Sequence, residues 1–191
     1  MKPSPLQLNY IVYPKLSVEA LPAEGDTVAS ALIESQVSVR ARVSYKEDGE
    51  HTVIVSITHD ETQTPRAYDF AVEVFARFAI DNGIAREVYK GERFPVDAAI
   101  DVSRVLFSGA RELLATVSAR SPYGALSLPS VILGLPDVSI RFERDPADLV
   151  PALFGVPFES LGLKLASVPR KVTKAPRKTA RRIIEANPLD E

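Results

Sequence analysis

Four stretches of the chain alternate apolar and polar residues, and that period of two constrains the fold more than any other feature. Leu6, Leu8, Tyr10 and Val12 share one parity, with Gln7 and Asn9 on the other. Val37, Val39, Ala41, Val43 and Tyr45 alternate with Ser38, Arg40, Arg42, Ser44 and Lys46, so one face of this strand is apolar and the other is charged or hydroxylic. Val53, Val55 and Ile57 follow a turn over 46–50, where Gly49 can supply the positive φ of a tight hairpin. Tyr68, Phe70, Val72, Val74, Ala76, Phe78 and Ile80 form the fourth stretch. Short joins predict an antiparallel meander for stretches two to four. Residues 14–30 are too many for a hairpin, so the first strand is expected to cross over. The segment 81–96, with Gly83, Gly91 and Pro95, reads as loop.

The period changes over 98–120. A helix capped by Asp97 or Asp101 would carry Val102, Val105, Leu106, Gly109, Leu113 and Val117 on one side, and Phe107, Ala110 and Leu114 widen the apolar arc to roughly 200°, more than one sheet can cover. Arg104, Ser108, Arg111 and Glu112 form the polar strip. Gly109 inside the stripe costs about 1 kcal/mol of helix propensity relative to Ala, which a close backbone approach would offset. After the turn Ser121-Pro-Tyr-Gly124, residues 125–135 are apolar and punctuated by Pro129 and Gly134. Asp145-Pro-Ala-Asp148 reads as a short helix start.

Composition narrows the chemistry. The 191 residues include no Cys, no Trp and two His, His51 and His59, which excludes disulfides and thiolate sites and leaves little for zinc or a triad. No GxSxG, HExxH, P-loop or GxGxxG pattern occurs. His59 with Asp60, Glu47 with Glu50, and Asp60 with Glu61 read as polar hairpin ends. No catalytic residue, metal or cofactor is expected, and the chain is read as a binding protein rather than an enzyme. Neither an export signal nor a membrane span is expected, since no apolar run is long enough. The net charge of −2 hides an asymmetry: residues 1–163 carry 15 basic and 22 acidic side chains, and residues 164–191 carry 8 and 3. The basic tail suggests phosphate binding as one reading, but the body is acidic and no aromatic interleaves the basic residues, so nucleic acid is not the expected partner.

The strands followed by Leu106, Phe107, Ala110, Arg111 and Glu112 resemble the SecB family of protein-export chaperones, whose helix carries an L-[FY]-x-x-A-R-E signature. The segment from Arg120 to Val131 is similar to the family's loop ending L-x-L-P-x-V-N-F, and Leu16-Ser-Val-Glu-Ala20 resembles its D-[VL]-S-F-E motif. The likeness covers about residues 5–135 and departs at Val131-Ile-Leu133, where V-N-F would stand.

The resemblance implies an α+β subunit: a four-stranded antiparallel sheet with a long crossover after strand one, packed on a long helix, plus an irregular C-terminal extension. It divides the chain into a chaperone domain over 1–137, an extension with short helical pieces over 138–163, and a basic flexible tail over 164–191. It further implies a cytoplasmic, ATP-independent holdase, assembled as a homotetramer, that keeps unfolded or precursor polypeptides export-competent. The alternative within the binding class is a dedicated chaperone of one client, such as an antitoxin. Phe75, Tyr123, Leu126 and Leu128 are the expected peptide-groove residues, although Phe75 also fits an oligomer interface and the two leucines also fit the core. Glu19 is the expected contact for the Sec motor ATPase, which docks on acidic residues of the family's outer sheet face. Leu106, Gly109, Ala110, Leu113 and Val117 are the expected oligomer interface.

Overall fold

The computed structural model describes residues 3–22, 37–59 and 67–163. Five strands form one sheet in the order β1-β4-β3-β2-β5, with β1 over Leu6–Ala20, β2 over Val37–Tyr45, β3 over His51–His59, β4 over Tyr68–Ile80 and β5 over Val138–Phe142. The first four are antiparallel neighbours, and β1 reaches β4 by the expected crossover. The fold is α+β, a mostly antiparallel sheet on a long helix. The fifth strand, absent from the sequence expectation, pairs parallel to β2 and occupies the edge opposite β1. The basic tail falls outside the described residues.

Alternation decides which face of β2, β3 and β4 is buried. Val43, Val53, Val55, Ile57, Val74, Ala76 and Phe78 are buried on the inner face, while Arg40, Arg42, Arg77 and Asp69 stand exposed on the outer one. The inner face packs on α2, Phe94–Ser118, through Val102, Leu106, Phe107, Ala110 and Leu114. The helix starts earlier than either aspartate suggested. Pro95 lies in its first turn, where a missing N–H has no partner to lose and the fixed φ suits a helix, so the proline opens the helix instead of breaking it. The stretch expected as loop also holds α1, Asn82–Tyr89, capped by Asp81 Oδ1, which accepts from the Ile84 N–H at 3.0 Å.

Residues 138–163 pack into the same core as the rest. After β5, Asp145 caps α3, Pro146–Phe154, by accepting from the Ala147 N–H at 3.0 Å. Phe154 meets Tyr45, His51 and Phe94 at ring-centroid distances of 5.0, 5.9 and 5.8 Å. The Tyr45 hydroxyl donates to the Pro95 carbonyl, tying β2 to the start of α2. His51 sits edge-on to Tyr45 and Phe78, and its Nδ1 accepts from the Lys46 N–H at 3.3 Å. Burial there pushes its pKa down to about 4, against a smaller opposing pull from Asp48. Arg86 locks α3 from the other side, donating to the carbonyls of Phe154 at 2.6 Å and Gly155 at 3.3 Å. Gly155 takes φ +62°, and a Cβ there would lie 2.7 Å from the Arg86 guanidinium.

Candidate functional site

The first strand does not keep one parity. Its register against β4 slips between Leu8 and Tyr10 and again between Val12 and Lys15. Leu6, Leu8, Ile11, Leu16, Val18 and Ala20 align with inner-face residues of β4. Tyr10, Val12, Lys15 and Glu19 align with Arg77, Phe75, Glu73 and Asp69 on the outer face. The second slip contains Pro14, which has no N–H to give a ladder and is tolerated on an edge strand at a bulge. The expectation that Leu6, Leu8, Tyr10 and Val12 share a face is therefore corrected by the first bulge, which turns Tyr10 and Val12 outward.

This register leaves β1 as an apolar edge. Tyr10 is 52% exposed, and Ile11, Tyr13 and Leu16 are also exposed. Beside it, Val105, Gly109, Leu113 and Val117 repeat every fourth residue along α2 as a ridge at the margin of the buried face. Val105 and Val117 are exposed, and Gly109 and Leu113 are half-buried. A small cavity of about 160 Å³ lined by Ser4, Leu6, Leu8, Val102 and Val105 opens between the start of β1 and the helix. The Tyr13 hydroxyl is the nearest atom to a Cβ added at Gly109, at an ordinary 3.6 Å. Nothing among the described residues needs a glycine there.

The expected interface residues divide on this geometry. Leu106 and Ala110 lie under the chain's own sheet and are spent on its core, because the buried arc of α2 is centred on them. Gly109, Leu113 and Val117 stay at the margin, joined by Val105 and by the β1 residues Tyr10, Ile11, Tyr13 and Leu16, none of which the sequence reading assigned to an interface. The shift of apolar parity from Leu8 to Ile11 to Leu16, with a proline inside an otherwise strand-like run, was the available signal.

The expected groove residues do not form one groove. Leu126 and Leu128 are each 1% exposed, held in the core by a segment that hydroxyl groups fasten along α2: Ser118 Oγ accepts from the Leu126 N–H at 2.7 Å, and the Tyr68 hydroxyl donates to the Gly124 carbonyl at 2.7 Å. Arg104 donates to the Leu133 carbonyl at 2.8 Å further along. Tyr123 is half-buried at the far end of β1, where its hydroxyl donates to the Leu21 carbonyl at 2.7 Å and its ring meets Tyr68 edge-on. Phe75 stands apart from all three on the outer face, half-buried, with Tyr10 edge-on at 6.4 Å.

In the outer-face register, Val12, Phe75 and Ile54 lie side by side on β1, β4 and β3, and Arg42 follows on β2. Most of the remaining outer face is hydroxylic or charged. Glu19, exposed, stands beside Asp69 at one end, Lys15 aligns with Glu73 nearer the middle, and Arg40, Arg42, Arg77 and Arg141 lie elsewhere on the face. Arg77 pairs with Glu50 at 3.5 Å. Among the described residues there is no cluster of three or more His, Asp or Glu that could hold a metal ion, and no helix is long and apolar enough to cross a membrane.

No protein-family model matches the chain, and no curated protein is similar to it in sequence. Among solved structures it is similar to a SecB-like chaperone of Mycobacterium tuberculosis in complex with a ChAD peptide from an antitoxin, at 13% identity and a TM-score of 0.43, over 68% of this chain and 93% of that one.

Proposed function

We propose that the chain is an ATP-independent holdase of the cytoplasm that binds unfolded polypeptides and works as a homotetramer without catalysis. The observation that carries the reading is the apolar row Val12, Phe75 and Ile54 on a mostly polar sheet face, with Tyr10 against Phe75. Such a row offers an extended chain many weak contacts that do not depend on its sequence. The β1 edge and the Val105–Val117 ridge serve assembly, since covering the exposed half of each large side chain there contributes roughly 1 kcal/mol. Tyr123 shapes the end of the sheet; a direct client contact through its ring edge belongs to the same proposal.

A dedicated client fits better than general export. Docking of the Sec motor ATPase needs an acidic outer face, and here Glu19, Asp69 and Glu73 are outnumbered by Lys15, Arg40, Arg42, Arg77 and Arg141. Dilution of a denatured client into buffer without nucleotide tests the holdase reading. The protein at stoichiometric amounts should suppress aggregation, and Phe75→Ser should weaken the effect several-fold. Equal aggregation with and without the protein refutes it. A pull-down that returns one stable partner supports the dedicated role, and many precursors together with the motor ATPase support export.

A further inference from the structure

On the β2–β5 side of the outer face lies a shallow groove of about 780 Å³, floored by Arg40, Arg42, Ser56, Thr58, Glu73 and Ser139. Arg40 and Arg42 are exposed and make no ion pair among the described residues, and neither does Arg141 on β5. The two β2 arginines are successive residues on one face, so their stems are about 6.5–7 Å apart. Ser139 pairs with Arg42, and Arg141 pairs with Ser44, which places Arg141 two residues further along and one strand over.

We propose that this groove docks an extended acidic peptide segment, with carboxylates at alternate positions meeting Arg40, Arg42 and Arg141 in turn. An extended strand repeats its side chains on one face at the spacing of Arg40 and Arg42, and Arg141 lies on the diagonal one strand over. Each guanidinium can meet a carboxylate with two parallel N–H donors. The hydroxyls of Ser56, Thr58 and Ser139 can serve the peptide's polar groups, and Ile54 beside Arg42 can take an apolar side chain. A polypeptide fits better than a nucleic acid because Glu73 in the floor opposes a continuous phosphate backbone, while a peptide can place a neutral residue there. The groove adjoins the apolar row at Ile54, but its arginines lie outside that row, so the acidic-segment proposal is tested separately from the holdase reading.

Fluorescence anisotropy of the full chain with a labelled peptide of alternating Glu and Thr tests the proposal. Arg40→Ala with Arg42→Ala should weaken binding about tenfold, and the matching Gln/Thr peptide should bind no better than the double variant binds the acidic one. Both arginines are exposed, so the variant should keep its circular dichroism, and the eight basic side chains of residues 164–191 are the same in both proteins. Unchanged affinity in the double variant would overturn the proposal. So would tighter, Arg40- and Arg42-dependent binding of a single-stranded RNA oligomer, which would make the groove a nucleic-acid site. Loss of peptide binding with aggregation suppression intact would leave the holdase reading standing and locate the acidic segment here.

Discussion

The two edges of this sheet are built on opposite plans. The β5 edge is five residues long and charged: it carries Arg141, and just beyond it Arg144 pairs with Glu47 while Glu143 accepts from the Glu47 N–H at 3.1 Å. Behind it, α3 and an aromatic cluster complete the core. The β1 edge is fifteen residues long, bears Tyr10, Ile11, Tyr13 and Leu16 exposed alongside Lys15 and Glu19, and is interrupted by its bulges and Pro14. A short, charged edge resists pairing with another chain, whereas a long apolar edge invites it. The difference teaches that one side of the sheet is finished by its own sequence, while the other keeps a long apolar edge that the proposed assembly would cover.

The largest expected effect probes the finished side. Phe154→Ala removes a ring packed against Tyr45, His51 and Phe94 and should cost about 3–5 kcal/mol in urea unfolding. It should leave the native mass unchanged wherever the variant is folded; dissociation would show that the edges are coupled. Acid titration comes next. His51 has a folded pKa of about 4, below its ordinary 6.5, so the unfolded state takes up the proton first. The stability it contributes is complete above pH 6.5 and declines as pH falls toward 4, by roughly 3 kcal/mol, and His51→Gln should flatten that decline. A profile flat between those pH values in the parent chain would contradict a buried neutral imidazole.

Gly155→Ala should cost about 1–2 kcal/mol, because it forces a side chain into a left-handed conformation and presses on the Arg86 guanidinium that holds α3. The smallest effect belongs to the open side and has the opposite sign. Gly109→Ala should stabilise the isolated subunit by about 0.5–1 kcal/mol, as the nearest described atom to the new Cβ is at ordinary contact distance. The same change should weaken self-association if α2 packs closely on a second copy. An alanine variant that assembles as tightly as the parent would remove the glycine from the interface.

Legibility in the sequence followed how local the deciding physics is. The inner faces of β2, β3 and β4 could be read residue by residue, since strict alternation with buried Val, Ile and Phe leaves one register. The apolar arc of α2 was readable from its spacing, but not which part of it the sheet covers, since Leu106 and Ala110, expected at an interface, are buried in the core. The start of α2 was not, because Pro95 and Gly91 look like breakers until the proline's place in the first turn is known. β1 misled because two bulges shift its parity, and a bulge is fixed by pairing with β4 rather than by its own residues. Leu126 and Leu128 fitted either a client groove or the core because a run without helix or strand periodicity does not decide its burial; the hydroxyl contacts that pin it come from other elements, Ser118 on α2 and Tyr68 on β4. β5 was missed for the same reason, as five residues pair parallel to a strand nearly a hundred positions earlier.

The central claim, that the β1 edge and the α2 ridge are completed by further copies of the chain, is tested most directly by native mass measurement on the full chain and on a variant with Ile11→Lys and Leu16→Lys. The account predicts a tetramer for the parent and a folded monomer for the variant. A parent chain that is a folded monomer at micromolar concentration would contradict it.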